Sequence, residues 1–243
     1  MRHAEDELPP SSLRGRLCEV FFSAIMTEMI DPLMRRLGDK AELSDPIFGG
    51  ASGMSPLKDR LVEWTRFLSE HDAHYDRTIT VVGGDRDVTE GTLELRLDGH
   101  TRTLPIALLM ERRGQREVAL RVFMATSPFA RDAKGPSTGA APPSMVVPAF
   151  ASDLLAAIGK RDASAVEACF EQDSGVRDAL GNEHARGATV NILTKPLTVR
   201  GVADNGQVCA LEATLEGTQR LALLILQRGD SGLIRSLRIY SET

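Results

Sequence analysis

Two aspartates stand where residue type and spacing suit chemistry. Asp45 lies in Leu43-Ser44-Asp45-Pro46-Ile47-Phe48-Gly49-Gly50-Ala51-Ser52-Gly53, and Asp178 in Val176-Arg177-Asp178-Ala179-Leu180-Gly181-Asn182-Glu183-His184-Ala185-Arg186-Gly187. Each ends an apolar run, precedes a glycine-rich turn and leads into a helical segment. A carboxylate held there beside an apolar interior is a candidate acid or base, because such surroundings disfavour its charged form and lift its pKa towards neutrality. The competing role is to stabilise the turn itself. His184 follows Asp178 across the turn, and a His–Asp pair can exchange protons near neutral pH. A turn histidine bonded to backbone is the plainer alternative. His71, Asp72, His74 and Asp76 are a local set of metal-ligand types, but their spacing follows no zinc pattern and they fall at an expected helix end, so no metal is expected. The run from Gly49 to Gly53 lacks the Lys of a phosphate-binding loop and any parallel βαβ context, so no nucleotide cofactor is expected.

The elements that must position these residues follow from periodicity. Phe22, Ile25, Met26, Met29, Leu33 and Leu37 recur at helical spacing, with a break before Asp31-Pro32 that starts a second, short helix; their Met-rich face reads as core. A short strand over Ala41 to Phe48 carries Asp45. Ser55-Pro56 opens a helix whose buried stripe is Leu57, Leu61, Trp64 and Leu68. Strands follow over Thr78–Val82, Gly91–Leu97, Leu104–Met110 and Val118–Met124, the hairpin after Leu97 being signalled by Asp98-Gly99.

The plan then repeats. Thr80-Val81-Val82-Gly83 matches Thr198-Val199-Arg200-Gly201, and Leu93-Glu94-Leu95 matches Leu211-Glu212-Ala213, both 118 positions on. Leu120-Arg121-Val122-Phe123 matches Leu237-Arg238-Ile239-Tyr240. In the second copy Phe150, Leu154, Leu155 and Ile158 mark a first helix. Asp162 caps a second that holds Val166, Cys169 and Phe170, and a short helix runs near Ala188 to Leu193. The expected organisation is an arm over residues 1–13, a first domain over 14–130, a Pro- and Gly-containing linker over 131–148 and a second domain over 149–243.

Of the 243 residues, 42% are hydrophobic and 26% charged, as in ordinary globular chains. A net charge of −5 without a basic stripe argues against nucleic acid. No apolar run reaches membrane-spanning length and no signal peptide is visible, so a cytoplasmic protein with no membrane partner is expected. Cys18, Cys169 and Cys209 sit within apolar patterns and read as buried hydrophobes.

Helices followed by long antiparallel strands make an α+β fold in which a curved sheet is closed by helices into a cone. Taken with the Ser44-Asp45-Pro46-Ile47-Phe48-Gly49-Gly50 and Arg177-Asp178-Ala179-Leu180-Gly181-Asn182-Glu183-His184-Ala185-Arg186-Gly187 turns, Arg161-Asp162 before a helix, and the closing Gly232-Leu233-Ile234-Arg235-Ser236-Leu237-Arg238, the order resembles the nuclear transport factor 2-like superfamily. Within it the chain is similar to the ketosteroid isomerase and SnoaL-like polyketide cyclase branch, in two tandem copies. The resemblance implies a cystatin-like α+β cone repeated as an internal pseudo-dimer, the copies pairing sheet to sheet, with a homodimer as a further option. It implies a mostly apolar small-molecule ligand, with Asp45 as leading base and Asp178 with His184 as the alternative. Candidate ligand contacts are Trp64, Arg121, Phe123, Arg238 and Tyr240; the last four could instead cover the sheets where the copies meet. The isomerase's Tyr on the first helix and Asp on a late strand have no counterparts here, so steroid isomerisation itself is not expected. Acid–base cyclase or isomerase activity stands against a non-catalytic ligand-binding or assembly module.

Overall fold

The structure, a computed structural model, describes residues 10–114, 117–129, 145–193, 196–217 and 220–241. Most of the expected linker and residues 1–9 of the expected arm lie outside them. Helix α1 (Pro10–Met26) begins inside the expected arm and buries Leu17, Cys18, Phe21, Phe22 and Ile25 along one stripe. It stops earlier than the apolar spacing suggested, where Glu28 takes a positive φ of 59°. Helix α2 (Ile30–Leu37) then starts with Asp31 and Pro32 in its first turn. The break leaves Met29 52% exposed, so this methionine is surface and not core.

Strands β1 (Glu42–Asp45) and β2 (Gly49–Ser52) form a hairpin, and α3 (Met54–Glu70) follows with Leu57, Leu61, Trp64, Phe67 and Leu68 buried. Strands β3 (His74–Val82), β4 (Arg86–Leu97), β5 (His100–Arg112) and β6 (Val118–Met124) complete the first half. Asp98 and Gly99, at φ of 50° and 78°, turn β4 into β5 with both central residues left-handed, the twist that suits a tight hairpin. The second half comprises α4 (Ala149–Gly159), α5 (Ala163–Ala168), β7 (Phe170–Arg177), β8 (Glu183–His184), α6 (Thr189–Ile192), β9 (Leu197–Asp204), β10 (Val208–Leu215), β11 (Leu221–Arg228) and β12 (Ile234–Ser241). Asp162 caps α5 by accepting from the Ala165 N–H at 3.0 Å. That helix is shorter than expected: Cys169 closes it and Phe170 already opens β7.

Both sheets have six strands, in the orders β2-β1-β6-β5-β4-β3 and β8-β7-β12-β11-β10-β9. The order is the same twice, so the fold is a tandem α+β repeat. The sheets are mixed and not purely antiparallel meanders, because β1 pairs parallel with β6 and β7 with β12. Strand register also corrects the sequence repeat. Glu90 pairs with Ala107, which pairs with Phe123; Glu212 pairs with Leu223, which pairs with Tyr240. Glu90 and Glu212 are therefore equivalent, and Glu94 is not the counterpart of Glu212. A bulge before Ile79 on β3 and before Gly201 on β9, each at the strand partner of these glutamates, fixes the same alignment. The slip is four residues, an even number, so it left every side chain on its expected face.

Among the described residues three apolar clusters hold the structure together. One fills the first half between α1, α2, α3 and its sheet, and a second fills the other half beneath α4, α5 and α6. The third joins the outer sheet faces of the two halves, with Val81, Val88, Leu109 and Phe123 meeting Val208, Leu223, Ile225 and Tyr240. These are the contacts of an internal pseudo-dimer.

Candidate functional site

Asp45 ends β1, and its side chain turns inward because alternate strand residues face opposite sides of the sheet. It is fully buried. Its Oδ1 accepts the Ile47 N–H at 2.9 Å and the Phe48 N–H at 2.7 Å, which closes the turn into β2. Phe48, Trp64 and Phe67 pack edge to face on one another with ring centroids 5.7 to 6.0 Å apart, and of these rings Trp64 approaches the Asp45 carboxyl. Its Oδ2 and Trp64 Nε1 are both buried without a well-formed hydrogen bond, although the indole N–H is near enough to favour the carboxylate charge. Burial pushes the Asp45 carboxyl up, and the Phe48, Trp64 and Ile47 N–H groups and the Arg60 charge only partly offset it.

Asp178 occupies the equivalent place at the end of β7 but is only half-buried. Its Oδ1 accepts from the Leu180 and Asn182 N–H groups at 2.9 and 3.0 Å. Its Oδ2 meets Asn182 Nδ2 at 3.0 Å and His184 Nε2 at 2.8 Å. Burial raises this carboxyl too, but the bonds from Asn182, His184 and Leu180 outweigh it and hold Asp178 below the usual carboxylate range. The structure thus brings the expected His–Asp pair together, on a turn. A carboxylate stabilised in its charged form is a weak base at neutral pH. One sequence position, used twice, therefore carries carboxyls shifted in opposite directions.

The other candidate contacts do not converge on either aspartate. Trp64, 1% exposed, is part of the first core. Arg121, Phe123, Arg238 and Tyr240 lie between the two sheets. Arg121 Nη2 donates to Glu111 Oε2 at 2.7 Å and to Glu212 Oε2 at 3.0 Å, while its Nε lies 2.5 Å from Glu212 Oε1. Arg238 Nε lies 2.6 Å from Glu90 Oε1, and the Tyr240 hydroxyl donates to the same oxygen at 2.6 Å. Because Arg121 and Arg238 are equivalent, as are Glu212 and Glu90, each half lends an arginine to the other's glutamate. That reciprocity marks a two-fold interface. Sequence reasoning missed Glu90, Glu212, Arg86 and Glu111; lone charges among apolar strand residues were the available signal.

The metal-ligand types spread out. His71 Nδ1 bonds the Phe67 carbonyl at 2.7 Å, while His74 and Asp76 lie on β3 and not at a helix end, 3.3 Å apart and exposed. Among the described residues no three His, Cys, Asp or Glu side chains are placed to hold a metal. No helix there is long and apolar enough to cross a membrane.

Open space lies elsewhere. A cleft of about 580 Å³ between the α1–α2 turn and α3 is lined by the apolar Met29, Ile30, Pro32 and Val62 and by the charged Glu28, Asp31, Lys58, Arg66 and Glu70, with Lys58 and Asp31 paired at 2.8 Å. A second, of about 290 Å³, lies across Met29 and Pro32, against Val20, Ala24 and Leu33. A third, of about 270 Å³, is lined by Ser44 of β1, Arg113 just after β5 and Arg121 of β6; Ser44 points to the face opposite Asp45.

No family model matches the chain, and no curated protein matches it. Solved structures do. It is similar to a structure of TerC co-crystallized with polyporic acid, at 19% identity and a TM-score of 0.40, over 49% of this chain and 95% of that one. A putative polyketide cyclase from Sinorhizobium meliloti matches at 15% identity and a TM-score of 0.35, over 49% and 99%. A SnoaL-like protein of unknown function from Burkholderia thailandensis matches at 13% identity and 0.34, over 41% and 100%. In each case about half of this chain, or somewhat less, spans nearly all of the other.

Proposed function

We propose that the chain is a non-catalytic binding module that takes a small, mostly apolar molecule in the cleft beside Met29 and Val62, not in either cone. One observation carries the reading: the Asp45 carboxylate is fully enclosed, with Oδ1 committed to two turn N–H groups and the buried Trp64 indole close by. The residues that could have lined a pocket on the sheets are engaged between the two halves. The cleft has the volume of an ordinary ligand site, and its lining sets the apolar Met29, Ile30, Pro32 and Val62 among charged groups of both signs, Glu28, Asp31 and Glu70 with Lys58 and Arg66. Met29 and Val62, 52% and 41% exposed, are large apolar side chains left facing solvent there. An anilinonaphthalene sulfonate fluorophore is a suitable probe. Its affinity should fall about tenfold or more in Val62→Asp and in Met29→Asp, since an apolar contact is replaced by a charge. Asp45→Asn should leave it unchanged. Equal affinity in all three variants would refute the cleft.

A second reading keeps acid–base chemistry at Asp45. It is favoured by the unbonded Oδ2 and the raised carboxyl, the protonation behaviour a general acid needs. Substrate entry would require α3 to move from β1. Trp64, the sole tryptophan, reports on this: an enone whose binding quenches its emission, with turnover abolished by Asp45→Asn, would favour the enzyme.

A further inference from the structure

The face between the two sheets is built from equivalent positions that differ at one place. The register puts Arg86 of β4 where β10 has Val208, Glu111 of β5 where β11 has Gln227, and Ile79 of β3 where β9 has Gly201. Across the interface Arg86 lies on Gly201, and a Cβ there would overlap its side chain from Cδ to the guanidinium carbon. No positive φ calls for glycine at 201, so the close approach does. Arg86 is held in place: it is 2% exposed, its Nη2 donates to Glu111 Oε1 at 2.6 Å, its Nη1 reaches Asp85 at 3.2 Å, and its Nε lies 4.0 Å from Glu212. On the opposite side of the two-fold axis the corresponding residues are apolar: Val208 is in the inter-sheet cluster and Ile79 packs against it.

We propose that Arg86 on Gly201, with Val208 and Ile79 as its apolar counterpart, is a key that makes the interface heterotypic: each sheet face fits the other half and rejects a like half. A first half facing another first half would set Arg86 against Ile79 on both sides of the axis. The guanidinium would be pushed from Glu111, leaving buried charges unpaired. A second half facing its like would set Val208 over Gly201 and leave unfilled space. The Arg–Glu exchange is available in all three combinations, so it holds the halves without choosing between them. The partner this surface selects is the linked half of the same chain, and a second copy is turned away from it.

The test uses the full chain and urea unfolding. Isoleucine favours strands over glycine, so without the key Gly201→Ile would stabilise. Here it should lower the midpoint by about 1 M. In the background Arg86→Val/Glu111→Gln, which copies the second half's pattern, Gly201→Ile should cause no further loss. The resulting triple variant should unfold within about 0.5 M of the wild type. The opposite symmetrised chain, Gly201→Ile/Val208→Arg/Gln227→Glu, copies the first half's pattern onto both sides and should lose the cooperative transition or unfold at least about 1 M earlier. The proposal is overturned if Gly201→Ile costs the same in both backgrounds, or if the second symmetrised chain unfolds at the wild-type midpoint.

Discussion

Asp45 and Asp178 separate what a residue's type allows from what its surroundings make of it. The two turns looked alike in sequence, and both aspartates do accept turn N–H groups. What sequence could not supply was depth: α3 covers Asp45, whereas only the short α6 follows Asp178. The raised carboxyl of Asp45 gives a signed prediction. An acid with its folded pKa above its unfolded value binds its proton more tightly when folded. Its favourable contribution is therefore complete below the ordinary value of 3.8 and lost as pH rises through the folded value. Asp45→Asn keeps an acceptor for Ile47 and Phe48 but carries no charge. Its stability relative to wild type should rise as pH increases above about 4, in urea unfolding followed across pH. Asp45→Ala strands two N–H groups and should cost roughly 2 kcal/mol or more at any pH. For Asp178 the sign reverses. Its depressed carboxyl stabilises above the ordinary value and loses that contribution as pH falls.

At the scale of elements, the turns and helices were legible because local rules decide them. Asp98-Gly99 makes its hairpin, Asp162 caps α5, and Pro32 sits in a first turn. Gly99→Ala should cost about 1 kcal/mol, because φ of 78° strains any residue with a Cβ; a shift in thermal midpoint checks it. Pairing was harder to read. The parallel contacts of β1 with β6 and β7 with β12 are non-local, and nothing in short-range periodicity announces them. The repeat alignment slipped by four on β3 and β4 because Leu-Glu occurs twice in the second half, at Leu211-Glu212 and Leu215-Glu216, and only the bulges and the cross-strand partners show that Leu93-Glu94 answers to the latter. Glu90, the true counterpart of Glu212, was lost to view with that slip.

For the molecule as a whole, buried charge shows how the halves are joined. Arg121 neutralises Glu111 in its own half and Glu212 in the other. Burial opposes ionisation of Glu111, but Arg121, Arg86 and Arg113 together hold its carboxyl below the usual range. Arg121→Met should therefore cost about 3–5 kcal/mol, by leaving the Glu212 carboxylate buried without its close partner; chemical denaturation measures it. Arg121, Phe123, Arg238 and Tyr240 were legible as facing one sheet side. That the side is closed by the second half depends on tertiary packing that sequence does not encode locally. The surface proposed to bind a ligand lies at the α1–α2 break and α3, where Met29 and Val62 face solvent. Nuclear magnetic resonance with labelled methionine methyls and the Trp64 indole tests this most directly, with the anilinonaphthalene sulfonate probe titrated into the full chain. The Met29 methyl should shift and saturate while the Trp64 Nε1–H stays in place. A saturating shift of the Trp64 Nε1–H with Met29 unmoved would put the ligand in the first cone beside Asp45 and contradict the account.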